Sequence, residues 1–146
     1  MTNPSPSPND IIPVAVRCDG EGASAVTVAE ADIVIPSPGR CDVAARIYKE
    51  ARPDRVSSSA TRLMPAVLHF HGGTFACGTL DDGRTVARLL ARAGAMVVSI
   101  AYPLATEQPF PAAVDIGYEA LQWLYRKRLR AAGRGTRLFV AGEEAG

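Results

Sequence analysis

Ala66-Val67-Leu68-His69-Phe70 runs without a break into His71-Gly72-Gly73-Thr74-Phe75. A short, mostly apolar run of this kind reads as a strand buried on both faces, as in a parallel sheet. Two glycines at its exit let the backbone pass close to a ligand and turn its N–H groups outward. Donors aimed that way suit the oxyanion that develops in acyl transfer. A plain glycine-rich turn has the same local sequence, so this stretch alone leaves both readings open.

Working outward, the chain alternates helix and strand patterns. Val86, Leu89, Leu90 and Ala93 fall at i, i+3, i+4 and i+7, which predicts one face of a helix ending near Gly94. Asp81 and Asp82 stand where they would cap it. Ala95 to Ala101 predicts a second buried strand. Beyond a proline-rich loop, Val114, Tyr118, Leu121 and Leu124 or Tyr125 mark a longer helix starting near Pro111. Gly133-Arg134-Gly135 breaks that helix, and Arg137 to Ala141 predicts the last strand. Upstream, Val26 to Ile35 and Cys41 to Tyr48 predict two strands joined by the Pro36–Gly39 turn, an antiparallel hairpin with one solvated face. A hairpin followed by strand–helix–strand–helix–strand implies an α/β fold, a mostly parallel sheet with covering helices.

The chain has 146 residues, enough for one domain with a real core but not two. Residues 1–25 are expected to be a flexible N-terminal segment, since Pro4, Pro6 and Pro8 alternate with other small polar residues. Residues 26–146 are expected to form the domain. A net charge of +1 gives no electrostatic footprint for nucleic acid or acidic membranes. The odd cysteine count (Cys18, Cys41, Cys77) fits a reducing compartment. No basic-then-apolar leader or transmembrane-length apolar run stands in the sequence, so a cytoplasmic location without a membrane anchor is expected. No metal or cofactor motif is visible, and the oligomeric state is not legible.

Two further stretches carry chemistry. One is Ala101-Tyr102-Pro103-Leu104-Ala105-Thr106-Glu107, continuing through Phe110-Pro111-Ala112-Ala113 to Asp115. The other is Gly142-Glu143-Glu144-Ala145-Gly146, where the last strand runs into a turn of small residues. With the His71-Gly72-Gly73 loop, these resemble, in order and spacing, the hormone-sensitive-lipase-like esterases of the α/β-hydrolase fold. That family has an HGGG-type loop, a D-Y-R-L-A-P-E…F-P-A-A…D stretch and a G-D-S-A-G-G nucleophile elbow. The resemblance covers about Val26 to Gly146 and implies a partial α/β-hydrolase fold that stops at the elbow. It departs at Thr74 for glycine, at Ala101 and Pro103 for Asp and Arg, at Thr106 for proline, and at Glu144 for the serine.

The resemblance implies an oxyanion hole built from the backbone N–H groups of Gly72, Gly73 and Ala145, with His71 bracing the loop rather than acting as a base. His69 is expected to be a satisfied core residue. Glu144, at the nucleophile position, would face N–H groups that favour an anion, and its length would let it fold into the hole and block it. A carboxylate nucleophile, as in fold relatives that attack alkyl carbon, would need a histidine after the elbow, and this chain has none there. Cys77 reads as a small apolar thiol in a loop. The expected function is carboxylic-ester hydrolysis of small acyl esters by descent, without turnover in this 146-residue form. The alternative is a hydrolase-fold binding module without catalysis, or a truncated remnant.

Overall fold

The computed structural model describes residues 26–37, 41–51, 64–131, 136–144 and 146, so the expected flexible segment 1–25 lies outside the described residues. Strands β1 (Val28–Ile35), β2 (Val43–Glu50), β3 (Ala66–Phe70), β4 (Met96–Ile100) and β5 (Leu138–Gly142) form one sheet in the order β1-β2-β4-β3-β5. β1 and β2 are the expected antiparallel hairpin, and β2 joins β4 antiparallel. β4, β3 and β5 are parallel, with Phe70 opposite Ile100 on one side and Gly142 on the other. The buried runs predicted a parallel centre, and this is where it lies.

Helices α1 (Arg84–Arg92) and α2 (Ala112–Ala131) each serve a separate core. α1 packs Ala87 and Ala91 against Val28, Tyr48, Val67 and Val97. α2 packs Ile116, Ala120 and Leu124 against Ile35, Leu68, Val98 and Ile100. Because β3 alternates faces, Val67 and His69 belong to the α1 side while Leu68 belongs to the α2 side.

Each predicted helix face is right in part, since Leu90 of α1 and Leu121 and Leu124 of α2 pack into the cores. On α1, Leu89 is 56% exposed and Ala93 is exposed, while the alanines one step round the helix are sealed. Small side chains let the helix axis come close to the sheet, and the approach is held by ion pairs from Arg84 and Arg88 to the buried Glu30 of β1. On α2, Val114 and Tyr118 are 61% and 62% exposed, and Leu124 is 1% exposed. That helix carries two apolar stripes: of the residues predicted for its buried face, Leu124 is sealed and Leu121 packs against the core, whereas Val114 and Tyr118 face out. Asp81 and Asp82 do not cap α1. Gly83 holds the cap position without a side-chain bond, Asp81 pairs with Arg46, and Asp82 accepts from the Thr79 N–H and hydroxyl. Among the described residues no helix is long and apolar enough to cross a membrane.

Candidate active site

Because β3 and β5 are parallel neighbours, their C-terminal turns leave the sheet side by side. The crevice beyond the carboxyl ends of parallel strands is where open α/β sheets place ligands. The β3 turn is the glycine loop, and the β5 turn is the Gly142–Gly146 elbow.

The glycine loop is held by bonds to its own carbonyls. The ring of buried His71 stacks on Tyr102 at 4.5 Å between centroids and 17° between planes, and the Tyr102 hydroxyl donates to the His71 carbonyl at 2.7 Å. His71 Nδ1 meets the Gly72 carbonyl at 2.8 Å. A carbonyl can only accept, so the proton sits on Nδ1. The Gly73 carbonyl accepts from the Ala76 N–H (3.1 Å), the Cys77 N–H (3.0 Å), the Thr74 hydroxyl (2.8 Å) and the Cys77 thiol (3.2 Å). With both carbonyls engaged inside the loop, the N–H groups of Gly72 and Gly73 find no acceptor among the described residues.

That conformation needs unusual backbone angles. Gly73 has φ 129°, and a β-carbon there would stand 2.0 Å from the Cys77 carbonyl oxygen. Thr74 and Phe75 follow at φ 55° and 63°. A β-branched residue in the left-handed region is strained by about 1–2 kcal/mol. Thr74→Gly is therefore expected to stabilise the fold by roughly 1 kcal/mol after the glycine's unfolded-state entropy is counted. A higher urea midpoint at unchanged slope is the expected reading, and a lower one would mean the threonine hydroxyl outweighs the strain.

The elbow is strained in the same way. Glu144 has φ 51°, the kind of sharp strand-to-helix turn on which hydrolase nucleophiles sit. The Gly146 N–H donates to the Glu143 carbonyl at 2.7 Å, and the Glu143 N–H to the Phe70 carbonyl at 3.2 Å. These bonds fold the turn back against the end of β3. Glu144 reaches across, with its carboxylate Oε2 3.3 Å from where a β-carbon on Gly72 would stand. Ala145, the remaining expected oxyanion donor, lies outside the described residues.

His69 is fully buried, as expected of a core residue, with Nδ1 3.1 Å from the Ser99 hydroxyl. Its other nitrogen, Nε2, stands 2.9 Å from Oε1 of Glu143. Neither Ser99 nor Glu143 is singled out by the sequence, because their meeting depends on the register of three strands. Tyr102 lies in the quoted Ala101–Glu107 stretch, but its contact with His71 is not legible there. Cys77 is exposed, and among the described residues no cluster of three or more His, Cys, Asp or Glu side chains could hold a metal.

A central parallel trio, a glycine loop after one strand and a strained elbow after its neighbour define an α/β-hydrolase. The family described as alpha/beta hydrolase fold matches residues 67–146. The chain belongs to that family, in its hormone-sensitive-lipase-like esterase branch. It is 42% identical over 84 residues to carboxylesterase NlhH of Mycobacterium tuberculosis, covering 57% of this chain and 26% of that one. It is 27% identical over 121 residues to the gibberellin receptor GID1A of Arabidopsis thaliana, covering 73% of this chain and 35% of the receptor. The solved hyperthermophilic esterase of Pyrobaculum calidifontis superposes with a TM-score of 0.66 at 36% identity, covering 80% of this chain and 36% of that one. The chain thus spans between about a quarter and about a third of these relatives.

Proposed function

We propose that this chain carries the oxyanion loop and elbow of a carboxylic-ester hydrolase site for small acyl esters, and that Glu144 holds it without turnover. In serine hydrolases a hydroxyl attacks the carbonyl, a histidine moves the proton, and backbone N–H groups stabilise the oxyanion. In this reading the N–H groups of Gly72 and Gly73, which have no acceptor among the described residues, would receive the oxyanion, and the strained elbow would bring residue 144 beside them. The observation that carries the reading is the Glu144 carboxylate beside Gly72, its Oε2 3.3 Å from where a β-carbon there would stand, without a hydrogen bond to the loop's N–H groups. The donor on the elbow side would be the N–H of Ala145.

The two histidines of the chain are both buried and both engaged, His69 by Ser99 and His71 by Gly72. Neither makes a hydrogen bond or ion pair with Glu144. We therefore expect hydrolysis of 4-nitrophenyl butyrate by this chain, and by Glu144→Ser, to stay at the uncatalysed rate. Turnover by the unmodified chain that Glu144→Gln abolishes would overturn the reading, because it would mean that the carboxylate itself attacks.

A second reading is recognition without catalysis. It is favoured by a loop and elbow kept in shape around a residue that is not a serine, and by a receptor among the relatives. Binding of a short carboxylate or phosphonate by Glu144→Ala, with no hydrolysis, would favour it. We further propose that residues 26–146 are an incomplete hydrolase domain. The outward stripe of α2 and the side of β5 bound an apolar groove of about 420 Å³, lined by Phe70, Val114, Tyr118, Leu121 and Val140. A helix apolar on two faces is ordinarily covered on both. The cover is proposed to be further elements of the longer domain that the relatives possess.

A further inference from the structure

We infer that Ser99, His69 and Glu143 form a buried hydrogen-bond relay beneath the elbow, with the His69 proton on Nε2 facing Glu143, and that this relay positions residue 144. The three residues come from β4, β3 and the exit of β5. His69 and Ser99 are directly opposite in the β3–β4 register, and Glu143 follows β5 two residues beyond Ala141, the β5 partner of His69. Both His69 and Ser99 are fully buried, so this serine meets no substrate and the arrangement is a brace, not a second catalytic triad.

Two orphaned atoms carry the inference. His69 Nε2 and Glu143 Oε1 are buried, and neither has a well-aligned hydrogen bond. They stand 2.9 Å apart. A buried polar atom left unmade is costly, and here each is the partner at hand for the other. A carboxylate can only accept, which places the imidazole proton on Nε2. Nδ1 is then an acceptor, so the Ser99 hydroxyl at 3.1 Å must donate to it. Every hydrogen in the chain of three is thereby assigned. The room is also fixed: a β-carbon on Gly83, at the entry of α1, would stand 2.8 Å from His69 Cε1, so the ring cannot swing toward the helix. Glu143 is pinned from below by His69 and through its backbone by Phe70 and Gly146. The strained φ of Glu144 follows from a neighbour held at both ends.

The groups facing the ring are few. They are the Glu143 carboxylate from the exit of β5, His71 from the exit of β3, neutral Ser99 from β4, and Gly83 from α1, with the Asp82 carboxylate turned onto Thr79. Burial pushes the His69 imidazole below its ordinary value, against the pull of Glu143. As pH falls below about 6.5, the unfolded chain takes up a proton that folded His69 refuses. Stability therefore falls toward acid, and His69→Gln should flatten that slope.

The deciding experiment is the ring ¹⁵N spectrum of His69 in the intact chain, with Glu143→Gln and Glu143→Leu beside it. The expected result is a single neutral tautomer protonated on Nε2. Glu143→Gln, which keeps an acceptor, should retain that tautomer and native amide exchange at residues 142–146. Glu143→Leu, similar in size but without an acceptor, should lose the single tautomer and speed exchange at those amides about tenfold or more. A wild-type ring protonated on Nδ1, or doubly protonated near neutral pH, would overturn the relay even if the leucine variant failed to fold. Equal spectra and exchange in the two variants would reduce Glu143 to a space-filling role. None of these readouts uses ester hydrolysis, so the relay stands or falls apart from the proposed function.

Discussion

Gly73→Ala is expected to cost about 3 kcal/mol or more and to destroy the shape of the glycine loop. Two effects add. The added β-carbon would stand 2.0 Å from the Cys77 carbonyl oxygen, backbone that no rotamer change can move aside. The residue must also hold φ 129°, a region in which side chains are strained. Relief would require the Gly73 carbonyl to leave the donors of Ala76 and Cys77, which would undo the turn that closes the loop. The effect should read as a large drop in the urea midpoint. A variant as stable as the parent would mean that the loop is not fixed by these bonds, and the donor geometry would lose its basis.

Leu124→Ala is expected to cost about 3 kcal/mol, and Tyr118→Ser on the same helix to change stability by less than about 0.5 kcal/mol. Leu124 is 1% exposed and packs in the core with Leu68, Val98 and Ile100, so truncation leaves a cavity that the sheet cannot close. Tyr118, at 62% exposure, lines the open groove and loses little by becoming polar. Paired thermal or urea melts separate the two stripes of α2. Equal costs would mean that the outward stripe is covered in solution, as by association of two copies.

The sheet was legible because its evidence is local. Ala66 to Phe70 and Met96 to Ile100 are mostly apolar runs, each with one polar residue, and the hairpin carries its own turn signal at Pro36. Helix existence was legible, and the buried faces only in part: Leu90, Leu121 and Leu124 pack as read. Hydrophobic weight points to Leu89 and Tyr118, whereas closeness to the sheet selects Ala87, Ala91 and Ala120, whose value is their small size. In α2 two apolar stripes compete, and only the tertiary arrangement ranks them.

At the candidate site, the glycine loop and the elbow were legible as motifs, and their strain was not. Nothing in a threonine or glutamate announces φ 55° at Thr74 or 51° at Glu144. Those angles are imposed by bonds to Gly73, Phe70 and Glu143 that form once β3 and β5 are paired. The meeting of Ser99, His69 and Glu143 was hidden for the same reason, since residues 30 and more positions apart share a face only through strand register.

The central claim is that the Glu144 carboxylate stands against Gly72 of the glycine loop. It is tested most directly by following the Gly72 and Gly73 backbone amides by ¹⁵N NMR from about pH 3 to pH 7, across the ordinary carboxyl range. The comparison is between the parent chain and Glu144→Ala. Glu143 is present in both, so the difference isolates Glu144. The account predicts that the parent's Gly72 amide moves with a carboxyl titration that the variant lacks, and that added butyrate shifts these amides in the variant alone. Amides with the same positions and the same pH response in both proteins would contradict it.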